Sequence, residues 1–331
     1  MSLYFGIKAH IIGNFVLSGP ISTHYNGFQV SIFIEDDFYK ISLIKLVTKD
    51  NSLKIKYKGK IDNLSPVAPE EADYAEYIDL LKHFEALGGF NYGIKKVLYR
   101  ETLELIWYIG DELFQNLKPT LSFEKIIPQP KKKILSASNL SSIFLLHKII
   151  PDGIIPYNFF REASEYQNNE EYQQAYLHYY MILEYCFANG KTGQNEQIKS
   201  FLNNPDYLLA LLQTIKLFRQ HNNENYTILY NDVLELDKQK NQSKKDFIPN
   251  FTIQTITRLL YDYRGRLAHG LGRAIPYIFN ERKLSTITLF LGSICLSVCG
   301  NMQVYSSAFT QKKEEYVNKH ISELKDELKL D

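Results

Sequence analysis

The stretch IQTITRLLYDYRGRLAHG, residues 253–270, decides how the second half of the chain is read. Ile253, Ile256, Leu259, Leu260, Tyr263 and Leu267 recur at steps of three and four residues, which places them on one stripe of an amphipathic helix. Asn250 stands where a cap is expected, and Gly270, Gly272 and Pro276 stop the helix near His269. At about 100° per residue, Arg264 falls at the edge of the stripe, four residues after Leu260 and three before Leu267. Its stem can lie on packed surroundings while its head reaches out. His269 follows five residues later, about 140° around an ideal helix. The spacing alone does not close that gap, and a second copy of the helix in a dimer is one way to close it.

Outward from this helix, the C-terminal half reads as helical throughout. A short helical pattern covers 158–167, and a longer helix runs from 170 to about 188, with Asn169 as its expected cap and Gly190 as its stop. Tyr172, Ala175, Tyr176, Tyr179, Leu183 and Cys186 form its stripe. Further helices are predicted at 206–220, 284–300 and 309–330, while 221–247 carries a loop rich in Asn, Gln and Lys.

The first third has a different period. QVSIFI (29–34), ISLIKLV (41–47) and LKIKY (53–57) read as strands, with turns at NGF (26–28) and EDDF (35–38). They predict an antiparallel sheet with one wet face. A helix over 73–87 follows, interrupted by GGFNYG (88–93), and 102–117 reads as a second helical or mixed stretch. Prolines at 119, 128 and 130, with Lys131, Lys132 and Lys133, mark a boundary. The expected architecture is α+β overall: a sheet-containing domain over 1–130, a linker or boundary over 131–154, and an all-α bundle over 155–331.

Composition narrows the function classes. The 38 Lys and Arg against 37 Asp and Glu leave a net charge of +1, so any nucleic-acid contact must use a local basic patch. Three cysteines describe no disulfide framework and fit a reducing cytoplasm. MSLYFGIKAH lacks the basic and apolar regions of a signal peptide. LSTITLFLGSICLSVCG (284–300) is short of the about 20 apolar residues that span a bilayer, so a buried helix is expected and no membrane partner. Cys295 and Cys299 lie four apart with no second pair, GGFNYG lacks the Lys–Ser or Lys–Thr pair of a phosphate loop, and neither metal nor cofactor is expected. His178 sits beside packed tyrosines and reads as structural, and His147 has no companion ligands.

Arginine and histidine together suit phosphodiester cleavage. Arginine stays charged and binds phosphate oxygens bidentately, histidine moves a proton near neutral pH, and RNA supplies its own 2′-hydroxyl nucleophile. Arg264 and His269 are the candidate catalytic pair, and Arg266 and Arg273 are candidate phosphate contacts. The plain alternative is a basic helix end with a histidine favoured at its C-terminus.

LYDYRGRLAHG (260–270) resembles the signature of the HEPN superfamily of helical nucleic-acid-processing domains, in particular the variant named after abortive-infection proteins. Arg264 and His269 fill its two motif positions, and Tyr261 and Asp262 fit the pair ahead of the arginine. YLHYYMILEYCF (176–187) resembles the earlier family helix, with Glu184 as the acid inside an apolar run. Gly265 departs from the family pattern, where a polar residue is more usual. The resemblance covers about 155–305. It implies a helical bundle that dimerises near the motif and acts as a metal-independent endoribonuclease leaving a 2′,3′-cyclic phosphate, in a toxin or phage-defence effector. DNA is not required. Glu184 would orient His269 or hold Arg264, its plain alternative being a surface glutamate flanking the helix stripe, and a regulatory or phage ligand would be sensed by the N-terminal domain. Other members bind RNA or proteins without catalysis, so a non-catalytic RNA-binding or protein-interaction module is the alternative. A nucleotide-binding regulator, in which Arg264 grips a phosphate, is a third reading.

Overall fold

The computed structural model describes residues 3–47, 57–58, 65–66, 74–109, 112–117, 133–149, 154–241, 248–270, 280–305 and 310–330. The chain divides into two compact units, Met1–Ile154 and Ile155–Asp331. An antiparallel sheet region followed by a helical region makes the fold α+β.

In chain order the first unit holds β1 (Leu3–Gly13), β2 (Phe15–Val16), β3 (Ile21–Tyr25), β4 (Phe28–Glu35), β5 (Phe38–Leu46), β6 (Tyr57–Lys58) and β7 (Ser65–Pro66). Helix α1 (Ala75–Tyr92), β8 (Ile94–Val97), β9 (Glu104–Ile109), β10 (Glu112–Leu117), β11 (Lys133–Ile134) and helix α2 (Ala137–Ile149) follow. The main sheet runs β10-β9-β1-β5-β4-β3, and β8 also pairs with β1. Two tight hairpins set its register. Asn26 and Gly27 (φ 49° and 81°) join β3 to β4, and Asp36 and Asp37 (φ 52° and 66°) join β4 to β5. Positive φ at both central residues is the turn whose twist matches the flanking strands.

One sheet face is the core of this unit. Phe5, Ile7, Ala9 and Ile11 of β1 share it with Ile41 and Leu43 of β5 and Phe28, Val30 and Ile32 of β4. Tyr77 of α1 packs edge-on against Phe5 and Phe28, and Phe84 of α1 stacks on Phe144 of α2. The opposite face carries buried charge. Lys40 Nζ donates to Glu35 Oε2 (2.6 Å) and Glu104 Oε1 (3.0 Å), and Lys8 Nζ donates to Glu35 (3.0 Å). Two cations and two anions offset one another, which a buried cluster requires.

Three expectations for this half change. The pair Gly88–Gly89 does not break α1, which continues to Tyr92 and stops at Gly93, a left-handed residue (φ 78°) whose N–H returns to Gly88 O. Gly88 serves close packing, since a Cβ there would clash with Ile94 Cδ1. The stretch 102–117 is not helical: β9 and β10 form a hairpin on the edge of β1. Ile106 and Trp107 are both buried, so the run LIWYI lacks the alternation that marks a half-exposed strand. Nor is 131–154 a linker throughout, because β11 pairs with β2 and α2 packs on α1 and β3 through Leu140, Ile143 and Phe144. Lys133 of the lysine run donates to Asn91 O (3.0 Å), while Lys131 and Lys132 lie outside the described residues. So does 53–57 apart from Tyr57.

The second unit holds α3 (Ile154–Asn168), α4 (Tyr172–Phe187), α5 (Gln194–Leu202), α6 (Pro205–His221), α7 (Asn223–Lys240), α8 (Ile253–Gly270), α9 (Glu281–Tyr305) and α10 (Thr310–Leu328). Helix α9 packs against α4, α6 and α7 with Ile287, Phe290, Leu291, Ile294, Cys295 and Cys299 buried. Its segment Glu281–Met302 is, among the described residues, the one span long and apolar enough to cross a membrane, and 61% of its apolar window is buried within this protein. Tyrosine hydroxyls staple the helices. Tyr176 donates to Leu260 O (2.6 Å), Tyr157 donates to Cys299 O (2.8 Å), and Tyr207 pairs with Thr257 (3.0 Å). A buried tyrosine adds large apolar area and still finds a partner for its hydroxyl, which is the use these three serve.

Here too the structure corrects the sequence reading. Most of 221–247 is helix α7, whose Leu229, Val233 and Leu236 are buried beneath a polar outer face. Asn169 does not cap α4: Glu171 holds the cap position and Glu170 turns left-handed (φ 63°). At the start of α8, Thr252 and Thr255 exchange hydrogen bonds, Thr252 Oγ1 accepting from Thr255 N–H (3.1 Å) and Thr255 Oγ1 from Thr252 N–H (2.9 Å). Asn250 instead donates its N–H to Asp237 Oδ2 (2.9 Å).

Candidate functional site

Helix α8 presents its stripe as the sequence predicts: Ile253, Ile256, Leu259, Leu260, Tyr263 and Leu267 are all buried. That burial leaves Arg264 at the margin. Tyr176 of α4 fixes the turn just before it through Leu260 O, and the Tyr176 and Tyr263 rings pack 6.0 Å apart. On the far side, Tyr263 Oη donates to Asp232 Oδ2 (2.6 Å) and Lys283 Nζ donates to Asp232 Oδ1 (2.8 Å). Burial alone would lower the Lys283 pKa, but its bonds to Asp232 and Glu235 outweigh this and raise it. These contacts tie α7 to α8 and α9.

Arg264 Nη2 lies 3.2 Å from Glu184 Oε1, with side-chain exposures of 31% and 26%. The α4 acid and the α8 arginine named from the sequence therefore meet as an ion pair. Glu184 Oε1 also accepts from Gln197 Nε2 (3.2 Å). Gln197 in turn donates to Lys191 O (2.8 Å) and accepts from Tyr180 Oη (3.2 Å). Burial first, then the charge of Glu184, raises the Tyr180 pKa, so this phenol remains a donor. Gln194 Nε2 donates to Asp262 Oδ1 (2.8 Å), Lys240 lies 3.6 Å from Asp262 Oδ2, and Tyr261 Oη donates to Thr192 O (3.4 Å). The α4–α5 connection and the first turn of α5 are thus stitched to the motif end of α8.

The remaining named residues separate as follows. His269 lies on α8 five residues beyond Arg264, within the helix that ends at Gly270. Arg266 is half-buried on the same helix. Arg273 lies outside the described residues. Gly265 faces open space, with no atom within 4 Å of an added Cβ. His178 is held by packing and local bonds: Nδ1 is 2.9 Å from Gln174 O, Nε2 is 3.4 Å from Glu162, and the ring lies 5.0 Å from that of Tyr166. Cys295 Sγ donates to Tyr179 O (3.2 Å), and burial drives both Cys295 and Cys299 well above the ordinary thiol range. Among the described residues, no group of three or more His, Cys, Asp or Glu is placed to share a metal ion.

Sequence reasoning missed Gln194, Gln197, Lys191 and Tyr180. The apolar pair Ile198 and Phe201, three residues apart, hints at an inward face for α5, but nothing local says that Gln197 meets Glu184. Chemically, the cluster offers a part-exposed guanidinium fixed at one Nη by a carboxylate, the arrangement needed to hold an anion in a set orientation. A scan of protein-family models finds no match to the chain, and searches of curated proteins and of solved structures find no similar protein.

Proposed function

We propose that the second unit is a HEPN-like, metal-independent endoribonuclease built around Arg264 and His269. The observation that carries this reading is the Arg264–Glu184 ion pair at 3.2 Å, which joins the motif helix to the acid-bearing helix while the guanidinium stays part-exposed. Arg264 would bind the non-bridging oxygens of the scissile phosphate, on which negative charge builds in the transition state. His269 would move the proton, taking it from the 2′-hydroxyl or giving it to the departing 5′-oxygen. The 2′-oxygen attacks phosphorus, the P–O5′ bond breaks, and the products are a 2′,3′-cyclic phosphate and a 5′-hydroxyl. A homodimer placing two motif helices along one cleft would bring the arginine of one copy near the histidine of the other. A toxin or phage-defence role fits this activity, with the first unit as the seat of a regulatory or phage-derived ligand.

One observation favours a non-catalytic RNA-binding or protein-interaction module instead. Glu184 already engages Arg264, which reduces the charge available to a phosphate. Labelled single-stranded and structured RNAs incubated with the full chain in excess EDTA separate the two. Cleavage with cyclic-phosphate ends, lost in Arg264→Ala and in His269→Ala, supports the enzyme; removing a comparable preorganised donor lowers turnover by about 10²–10³-fold. RNA binding without cleavage supports the module. Cleavage that survives in Arg264→Ala overturns the proposed chemistry. Growth arrest on expression, relieved by either substitution, extends the test to the cell.

A further inference from the structure

We propose that Gln197 is a positioning residue that sets the guanidinium of Arg264 through Glu184. This rests on the ribonuclease reading for its catalytic consequence, and on geometry alone for its structural one. Gln197 is 3% exposed and sits on α5, which contributes no residue to the motif. Its amide makes three bonds of fixed sense. Nε2 has two acceptors, Glu184 Oε1 at 3.2 Å and Lys191 O at 2.8 Å, while Oε1 faces the Tyr180 hydroxyl at 3.2 Å. Turning the amide over would place its oxygen against a carboxylate and a carbonyl, so only one orientation satisfies the group.

The chain therefore runs in one direction. Tyr180 orients Gln197, Gln197 holds Glu184 Oε1, and the same oxygen receives Arg264 Nη2. Without Gln197, Glu184 keeps its charge but loses the bond that fixes its rotamer. A part-exposed carboxylate on a flexible side chain would then hold Arg264 in several geometries rather than one. Lys191 O belongs to the turn that also carries Thr192 O, the acceptor for Tyr261, so the anchor of Gln197 is tied to α8 as well. The motif arginine is thus supported by side chains from α4 and α5, in addition to its own helix.

The test is a double-mutant cycle on the full chain. Gln197→Leu keeps the approximate volume and removes both donors and the acceptor. In the wild-type background it is expected to lower kcat for RNA cleavage by about 10- to 100-fold, the scale at which outer partners of functional groups act. KM should change by less than about threefold, because orientation in the transition state is lost rather than binding. In a Glu184→Ala background the same substitution should cost less than about twofold, because the intermediary is gone. Full additivity of the two losses overturns the relay. Tyr180→Phe, which keeps the ring against Phe201, supplies a milder variant if Gln197→Leu unfolds; it should lower kcat in the same background-dependent way.

A second readout needs no RNA. With ¹⁵N-arginine-labelled protein, the Arg264 Nε–Hε signal reports side-chain order. It is expected to be rigid in wild type and mobile in Gln197→Leu or Tyr180→Phe. Unchanged order in both variants overturns the positioning role. If wild type cuts no RNA yet the variants mobilise Arg264, the ribonuclease reading falls and the positioning role stands.

Discussion

Gly265→Ala should stabilise the second unit. Glycine in a helix interior is about 1 kcal/mol less favourable than alanine, because it has more backbone freedom to lose. Three features of position 265 leave that difference unopposed. It lies within α8, its φ is not in the left-handed region, and an added Cβ meets no atom within 4 Å. It is five residues from the helix end at Gly270, where fraying removes part of the gain. The expected stabilisation is therefore about 0.5–1 kcal/mol. On a unit of this size that raises the midpoint of thermal unfolding by about 1–4 °C. Amide hydrogen exchange reads it more directly: protection from Arg264 to Leu267 should rise about two- to fivefold where exchange occurs through opening of this helix. Unchanged protection would mean that the last turns of α8 are not helical in solution. A destabilisation above about 1 kcal/mol would mean that position 265 is packed, and its assignment to an open face would be refuted.

Other perturbations test other parts. Glu184→Ala should lower RNA cleavage less than Arg264→Ala, and both should leave stability within about 1 kcal/mol because the pair is part-exposed; equal, complete losses of activity in folded protein would contradict that order. Burial pushes the Glu35 carboxyl up, but hydrogen bonds from Lys40 and Lys8 outweigh it and hold it below its usual 4.5. A depressed folded value means stability that is present above pH 4.5 and lost as pH falls through the folded value. Glu35→Gln should therefore cost about 1–3 kcal/mol at pH 7, discounted for partial exposure, and approach wild type in urea unfolding at the acid end. Leu229→Ala should cost about 2–5 kcal/mol in the same assay, whereas Lys238→Ala on the exposed face of α7 should be within about 0.5 kcal/mol of wild type; equal effects would place 223–240 outside the core.

The parts of the fold that were legible in the sequence are those where one local period met one burial environment. The α8 stripe is the clearest case, since each of its six apolar positions is buried. The turns at Asn26–Gly27 and Asp36–Asp37 were legible because their residue types tolerate positive φ. Where burial came from distant partners, the reading failed. Ile106 and Trp107 are covered on both faces of β9, so their run carries no strand period. Gly88 resembles a break until Ile94 is known to press on it. Helix α7 hides three buried aliphatic residues in a polar composition. The site divides in the same way. Glu184 and Arg264 were both nameable, because each stands in a local pattern, and they meet at 3.2 Å. Gln197 was not, because its importance comes from α5 folding back against α4, which no window of sequence contains.

Strand β1 also sets a timetable for synthesis. Phe5 pairs with Lys45 on one side and with Trp107 on the other. The first partner is available early, whereas the second leaves the ribosome only after some 60 further residues. At about 5–20 residues per second that interval is roughly 3–12 s. Throughout it, the nascent β1-β5-β4-β3 sheet carries one unpaired edge along its longest strand. Such an edge is a template for a neighbouring chain, and Lys8 and His10 are the polar residues along it that oppose such pairing. A ribosome stalled before β8 at residue 94 would hold this edge open along its whole length, and β9 closes most of it only from residue 104 onward.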